Sequence, residues 1–427
     1  MNQISPEPLD ALARRVLPAG NFGNANTDLV IERGLAGRVW DTDGMEYVDY
    51  LLGSGPMFAG HCNPEVLAAT HAQLDRGSTF FVNNPHGIRL AAEIVDAVAC
   101  ADQVRFTSSG TEADLYAMRL ARAFRRRDKI LKFEGGYHGM SDWALMSLAP
   151  RRQGNFPLPI PDSPGIPRSV ENDVIVAPFN DAAMAESLIR EHAEELGGVI
   201  VEPFQRLIPP VPGFLETLRR VTAELGIPLI FDEVVTGFRF AYGGAQAYYG
   251  VTPDICTLGK IIGGGFPLAA VAGRADIMAH FDRAKSGDEG YLMQVGTLSG
   301  NPIAAAAGLA TLEILKRPGA YDGVRAHGRA LMDGMNAALR RAGLPGQALG
   351  ETVMFDVIFA DGPLTDYRAL QRQDTAMAAR FNRRLRAAGI LKGDSKYYLS
   401  IAHTQADIDF TLAAFQAAVD DELAGRG

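Results

Sequence analysis

The chain has 427 residues, of which 47% are apolar and 21% charged, and it carries a formal net charge of −9. That length exceeds what one core usually supports and predicts either two domains or one large α/β domain with a smaller one appended. The composition excludes disordered and fibrous classes, and the negative balance gives no electrostatic reason to bind nucleic acid or an anionic membrane.

The first twenty residues, MNQISPEPLDALARRVLPAG, lack the basic start and apolar stretch of a signal peptide, and no uncharged run approaches the roughly 20 residues of a membrane span. Cys62, Cys100 and Cys256 stand far apart without paired metal-ligand spacing, so neither a disulfide framework nor a metal site is expected. A soluble, cytoplasmic protein is the expectation. VWDTDGMEYVDYL reads as a hairpin turning at Asp43-Gly44. From about residue 100 to 275, short apolar runs (VRFTSS, KILKFEG, DVIVAP, GGVIVEP, IPLIFDEV, PDICTLG) alternate with helix-period segments (TEADLYAMRLARAFRR, DAAMAESLIREHAEEL, FLETLRRVTAELG). This alternation predicts α/β structure built on a doubly wound, mostly parallel sheet. Between Ser147 and Ser169, Pro150, Pro157, Pro159, Pro161, Pro164 and Pro167 predict a long loop, which at that length is either a functional lid or disordered. Residues 305–340 read as helical, and the rest mixes short strands (TVMFDVIF, YYLSIAH) with helices. The expected division is a large domain over 61–310, a small α+β domain over 311–427, and an N-terminal segment, 1–60, packing with the small domain.

Ligands of open parallel sheets gather at the carboxyl ends of the strands. Four predicted strands end in polar residues: Ser108-Ser109-Gly110-Thr111, Glu202, Asp232-Glu233 and Lys260. The first begins a helix, so it is either a phosphate seat or a plain N-cap. Asp232 follows the apolar run 228–231 and needs a partner; Arg239 in a structural ion pair is one possibility, a shared site with Lys260 another. The 28 residues from Asp232 to Lys260 match one strand-crossover-strand unit, which brings both to one crevice.

Lys260 does not belong to a nucleotide loop, because GxxxxGK[ST] would need glycine at 254 and Ser or Thr at 261, where the chain has Asp254 and Ile261. The glycines of GGGFP also lack the dinucleotide-binding spacing, and they are read as allowing backbone to approach a flat ligand. A lysine desolvated at a sheet edge is a good amine nucleophile, suited to a Schiff base with an aldehyde. This suggests pyridoxal 5'-phosphate, with Lys260 as the covalent anchor, Asp232 at the pyridine nitrogen, Gly110 and Thr111 at the phosphate, and Tyr137 or His138 against the ring.

FTSSGTEA, KFEGGYHG, VEP, FDEVVTGFR, TLGKIIGGGFP and GTLSGNP, in this order, resemble the class-III pyridoxal-phosphate aminotransferases, most closely their glutamate-1-semialdehyde 2,1-aminomutase branch, from about residue 12 to the C-terminus. The resemblance implies the fold-type I architecture and an obligate homodimer with active sites at the subunit boundary. It implies that Lys260 forms the Schiff base, Asp232 bonds the pyridine nitrogen, Val234 packs on one ring face and Tyr137 stacks on the other beside His138. Ser109, Gly110 and Thr111 would seat the phosphate, Thr297 would reach it across the dimer interface, and Glu202 would help position the cofactor. The proline-dense loop falls where the aminomutase has its gating loop.

Three positions depart from the aminomutase pattern: Asn26 stands for an arginine associated with substrate carboxylate, Ser54 for a tryptophan, and Ser395, beside Asp394, for a glutamate. Arg206, Arg151 and Arg152 are candidate replacement anchors, weighed against solvated surface roles. The expected function is a transaminase moving an amino group between an amino compound and a keto or aldehyde acceptor. The alternatives are an intramolecular aminomutase, a racemase on the same scaffold, or a cofactor-binding protein without turnover, which the presence of both Lys260 and Asp232 speaks against.

Overall fold

The structure, a computed structural model, describes residues 7–25 and 29–425. Near the N-terminus β1 (Ile31–Leu35), β2 (Arg38–Asp41) and β3 (Glu46–Asp49) form an antiparallel meander. The β2–β3 turn is the predicted one: Gly44 takes φ +84°, and Asp41 Oδ1 accepts from the amides of Asp43 (3.0 Å) and Met45 (2.8 Å).

The central sheet comprises β4 (Gln103–Thr107), β5 (Lys129–Phe133), β6 (Val174–Ala177), β7 (Leu196–Val201), β8 (Leu229–Glu233), β9 (Ile255–Leu258) and β10 (Ala269–Gly273), in the order β4-β10-β9-β8-β7-β5-β6. Pairing is parallel except at β10, which runs antiparallel to both β4 and β9. VIVA, LGGVIV and ICTL are buried throughout, as strands covered on both faces must be. The sequence reading finds six of the seven strands and passes over β10, whose AAVAG has neither bulky residues nor alternation. The helix Gly110–Arg125 covers one face with Ala113, Ala117, Leu120 and Ala121, while Phe214–Glu224 packs on the other with Phe214, Leu218 and Val221.

The predicted helical stretch 305–340 is two helices, Pro302–Leu315 and Asp322–Ala342. Pro318, which has no amide hydrogen, and Gly319, at φ +77°, lie in the turn that separates them. Beyond it, β11 (Gln347–Glu351), β12 (Met354–Ile358) and β14 (Tyr397–Tyr398) make a small antiparallel sheet. The two-residue β13 (Ile390–Leu391) joins β3 in parallel, so the N-terminal meander and the C-terminal segment share a sheet. The proline-dense segment is a loop, pinned to the C-terminal part by Arg368. That guanidinium makes two bonds to Glu134 (2.7 and 3.0 Å), donates to the Gly154 carbonyl (2.8 Å) and sits 4.3 Å from the centre of the Phe156 ring. No helix among the described residues is long and apolar enough to cross a membrane.

His403 ties the two ends of the chain together. Its Nδ1 accepts from the Ser400 amide (3.1 Å), so Nε2 carries the hydrogen and donates to the Asp49 carbonyl (3.1 Å). Burial holds its pKa down to about 4, below the ordinary 6.5. The folded state therefore refuses a proton that the unfolded chain accepts, and stability present above pH 6.5 is lost as pH falls toward 4. The loss amounts to about 3 kcal/mol. Urea unfolding of the wild type and His403→Asn at a series of pH values checks this: the difference between them should shrink in that window, and parallel curves would contradict it.

Candidate functional site

The carboxyl ends of β4, β5, β7, β8 and β9 lie along one edge of the central sheet, and the predicted residues meet there. β8 places Asp232 opposite Thr257 of β9, and Asp232 is 5% exposed. Its Oδ2 lies 2.9 Å from His138 Nδ1, while its Oδ1 accepts from the Val234 amide at 3.1 Å and lies 3.4 Å from the Thr257 hydroxyl. The possible ion pair with Arg239 does not form. Arg239 is fully buried and donates instead to the carbonyls of Leu399 (3.0 Å) and Gly55. Glu233 faces the opposite side of the strand, as period-2 alternation demands, and receives the amides of Ala245 and Gln246.

β9 runs through Gly259 into Lys260, which has φ +50°. A non-glycine residue in that left-handed region costs on the order of 1 kcal/mol and is held only where its surroundings enforce it. Burial pushes the Lys260 amine below its usual pKa, with Lys396 and Arg239 adding repulsion. The three following glycines serve packing rather than ligand approach: a Cβ on Gly264 would lie 2.5 Å from the Ala307 carbonyl oxygen, and one on Gly265 would lie 2.9 Å from the Met57 sulfur. The close approach lies elsewhere. Val234 is wedged between Gly110 and Gly259, whose Cβ atoms would stand 2.9 and 3.0 Å from its Cγ1.

At the end of β4, Ser109 is the N-cap of the helix Gly110–Arg125 and completes a capping box with Glu112. The N-cap does not exclude an anion seat: the cap uses the hydroxyl as acceptor and leaves its hydrogen free, and the first helical amides, at Gly110 and Thr111, have no intrahelical carbonyl. Past β5, Tyr137 donates its amide to Glu202 Oε2 (2.9 Å) and presents a 40% exposed ring, with the Arg206 guanidinium 5.5 Å from its centre. Burial, reinforced by Asp232, raises the Glu202 carboxyl above its usual range. His138 is buried, and its Nε2 is a buried nitrogen without a hydrogen-bond partner among the described residues.

The substrate-side predictions scatter. Asn26 lies outside the described residues. Ser395 and Asp394 are exposed, as are Arg151 and Arg152, which fits the solvated reading of that pair. Ser54 is exposed at φ +67°, beside the Tyr398 phenol whose pKa it helps to lower. Thr297 is exposed in a segment that also exposes Met293, Val295 and Leu298.

Three residues at the site escaped the sequence reading. Tyr398 is buried with its ring against Gly55 and 5.1 Å from the Arg239 guanidinium; burial acts to raise its phenol pKa, but Lys396, Lys260 and Arg239 together bring it below the usual value. Lys396 places its ammonium 5.8 Å from the same ring. Asp114, on the first helix, is buried and accepts from the Thr257 hydroxyl at 2.6 Å. Only Asp114 carried a local signal, a carboxylate on the inward, alanine-lined stripe of its helix.

The family model of the class-III aminotransferases matches residues 20–394. An omega-transaminase from Sphaerobacter thermophilus is similar at 37% identity and TM-score 0.91, over 98% of this chain and 97% of that one. A beta-phenylalanine aminotransferase from Variovorax paradoxus is similar at 33% identity and TM-score 0.87, over 97% and 93%. A glutamate-1-semialdehyde-aminomutase from Pseudomonas aeruginosa PAO1 reaches TM-score 0.86 over 97% and 93% at 24% identity, a likeness of fold.

Proposed function

The chain belongs to the class-III aminotransferases, and from that premise we propose that Lys260, Asp232 and the Ser109–Thr111 turn are the working parts of an intermolecular transaminase. Its fold is that of the fold-type I transaminases and its cofactor is pyridoxal 5'-phosphate. The residues present fit that group: a helix N-terminus for the phosphate, a buried carboxylate for a ring nitrogen, an apolar Val234 between two glycines, and a desolvated primary amine for the aldehyde carbon. Bound there, the cofactor would supply an electron sink and carry the amino group between substrates.

Asp232, oriented by His138 at 2.9 Å, would hold a proton at the ring nitrogen. Val234 and Tyr137 would hold the ring between them, and Glu202 fixes Tyr137 through its amide. Lys260, whose amine burial pushes below its usual pKa, takes a proton from the carbon bearing the donor's amino group and returns it later. Arg206, beside the Tyr137 ring, and Lys396, beside the Tyr398 ring, are cations available to a substrate carboxylate, and Ser54, Ser395 and Asn26 stay candidates from the sequence. The single observation that carries this reading is Lys260 held at φ +50° beside the buried Asp232 strand end.

Transaminases at 33% and 37% identity support transfer between two molecules over the aminomutase alternative, whose relative stands at 24%. Their names point to donors whose amino group is not on an α-carbon, and an ω- or β-amino compound is the donor class we favour. A donor and acceptor panel tests it: the cofactor's absorbance should bleach with such a donor alone and recover with a keto acid or aldehyde. If no donor bleaches it while one compound isomerises, the aminomutase reading replaces this one.

A homodimer belongs to the same proposal, with Thr297 contributed to the partner's site. Exposed Phe81, Val82, Met293, Val295 and Leu298 are the apolar surface it would cover. Sedimentation should give a dimer at micromolar concentration, and a fully active monomer would contradict it. The division into 1–60, 61–310 and 311–427, with the first packing on the last, is supported by the β3–β13 pairing. Low cysteine content supports a cytoplasmic location, which fractionation of the source cells would test.

A further inference from the structure

Behind Asp232 lies a second buried acid for which the reaction as described has no use. Asp114 projects from the helix Gly110–Arg125 and is 2% exposed. Its Oδ1 receives the Thr257 hydroxyl at 2.6 Å, and the same hydroxyl lies 3.4 Å from Asp232 Oδ1. That one oxygen therefore stands between the two carboxyl groups and places them side by side. Thr257 has one hydrogen, and the shorter distance assigns it to Asp114. Among the described residues no arginine or lysine hydrogen-bonds either acid; around the pair stand Thr257 of β9, Lys260 past its end, Glu202 past β7, and Tyr137 and His138 past β5, and Glu202 adds a further negative charge.

Ionising two buried carboxyl groups this close together is costly, and such a pair tends to keep one proton between them. Asp232 has the claims to the charge: His138 and the Val234 amide both serve it, whereas Asp114 has only the threonine. We propose that Asp114 is a positioning residue that stays un-ionised at neutral pH and donates its proton as a hydrogen bond to Asp232. The bond fixes the rotation of the Asp232 carboxylate and draws off part of its charge, which weakens its grip on the ring-nitrogen proton. Asp114 touches neither substrate nor cofactor. This rests on the reading that Asp232 faces the ring nitrogen, but the protonation of Asp114 does not. Burial and the neighbouring Asp232 charge both raise Asp114 well above the ordinary carboxyl range, in line with the geometry.

Infrared difference spectra of wild type against Asp114→Asn, taken on the protein stripped of cofactor and again on the loaded enzyme, test the proposal. The wild type should show the carbonyl stretch of an un-ionised carboxylic acid across neutral pH, and the variant should lose it. A wild type without that band overturns the proposal whether or not the cofactor assignment holds. In the loaded enzyme Asp114→Asn, whose amide can still donate to Asp232 and accept from Thr257, should retain kcat within about threefold, while Asp114→Leu should lose roughly 10- to 100-fold and shift the pH dependence of the cofactor's absorbance. If asparagine is as damaging as leucine, an ionised Asp114 was needed and the proposal fails.

Discussion

Lys260→Ala is expected to lower kcat by about 10⁴-fold or more with the fold unchanged. The amine has two tasks in the proposed reaction, anchoring the cofactor and moving the substrate proton, and no other lysine replaces it. Lys396 reaches the Tyr398 ring from the C-terminal segment, and Lys132, though buried, is tied to the carbonyls of Ala144 (2.7 Å) and Met146 (2.6 Å) away from the strand ends. Removing a desolvated amine relieves burial cost, so the variant should unfold no more easily than wild type. Kinetics, thermal unfolding and borohydride trapping check this together: trapped cofactor should be found on the Lys260 peptide of wild type and nowhere in the variant. A variant that still traps cofactor at another lysine would remove Lys260 from its role.

Asp232→Asn keeps the shape of the side chain and removes its charge, and it should lower kcat by roughly 10²- to 10³-fold. The estimate follows from the 3–5 kcal/mol that loss of one partner from a buried charge pair costs, at about 1.4 kcal/mol per decade. His138 loses its carboxylate partner at the same time, yet Nδ1 can still bond the asparagine side chain, so the local structure should persist. Steady-state kinetics with circular dichroism as a control reads the effect. A variant within threefold of wild type would show that the ring nitrogen does not need a negative partner here.

The parallel strands and their polar ends were legible because each half of the pattern is local: VIVA or ICTL must be apolar on both faces, and the first polar residue after such a run stands at the sheet edge. Asp232 and Lys260 are found that way. β10 is hidden because AAVAG fills its place by small size, a packing property that periodicity does not report. Tyr398 and Lys396 come from the far end of the chain, more than a hundred residues past Lys260, and the pairing that brings them in rests on two-residue strands. Ser109 looked like either a cap or a phosphate seat, and it is built to be a cap whose free amides leave the seat open. The glycines after Lys260 misled for the opposite reason. Sequence shows that backbone comes close to something, and only the fold shows that it is Leu268 for Gly263, the helix Pro302–Leu315 for Gly264 and Met57 for Gly265.

The most direct measurement follows the nitrogen. With a ¹⁵N-labelled ω- or β-amino donor and an unlabelled keto acid, the purified enzyme should place ¹⁵N in the amino acid formed from the keto acid, one label for each donor consumed. Label that stays on the donor's own carbon skeleton, moved to a neighbouring carbon and absent from the acceptor, would contradict intermolecular transamination.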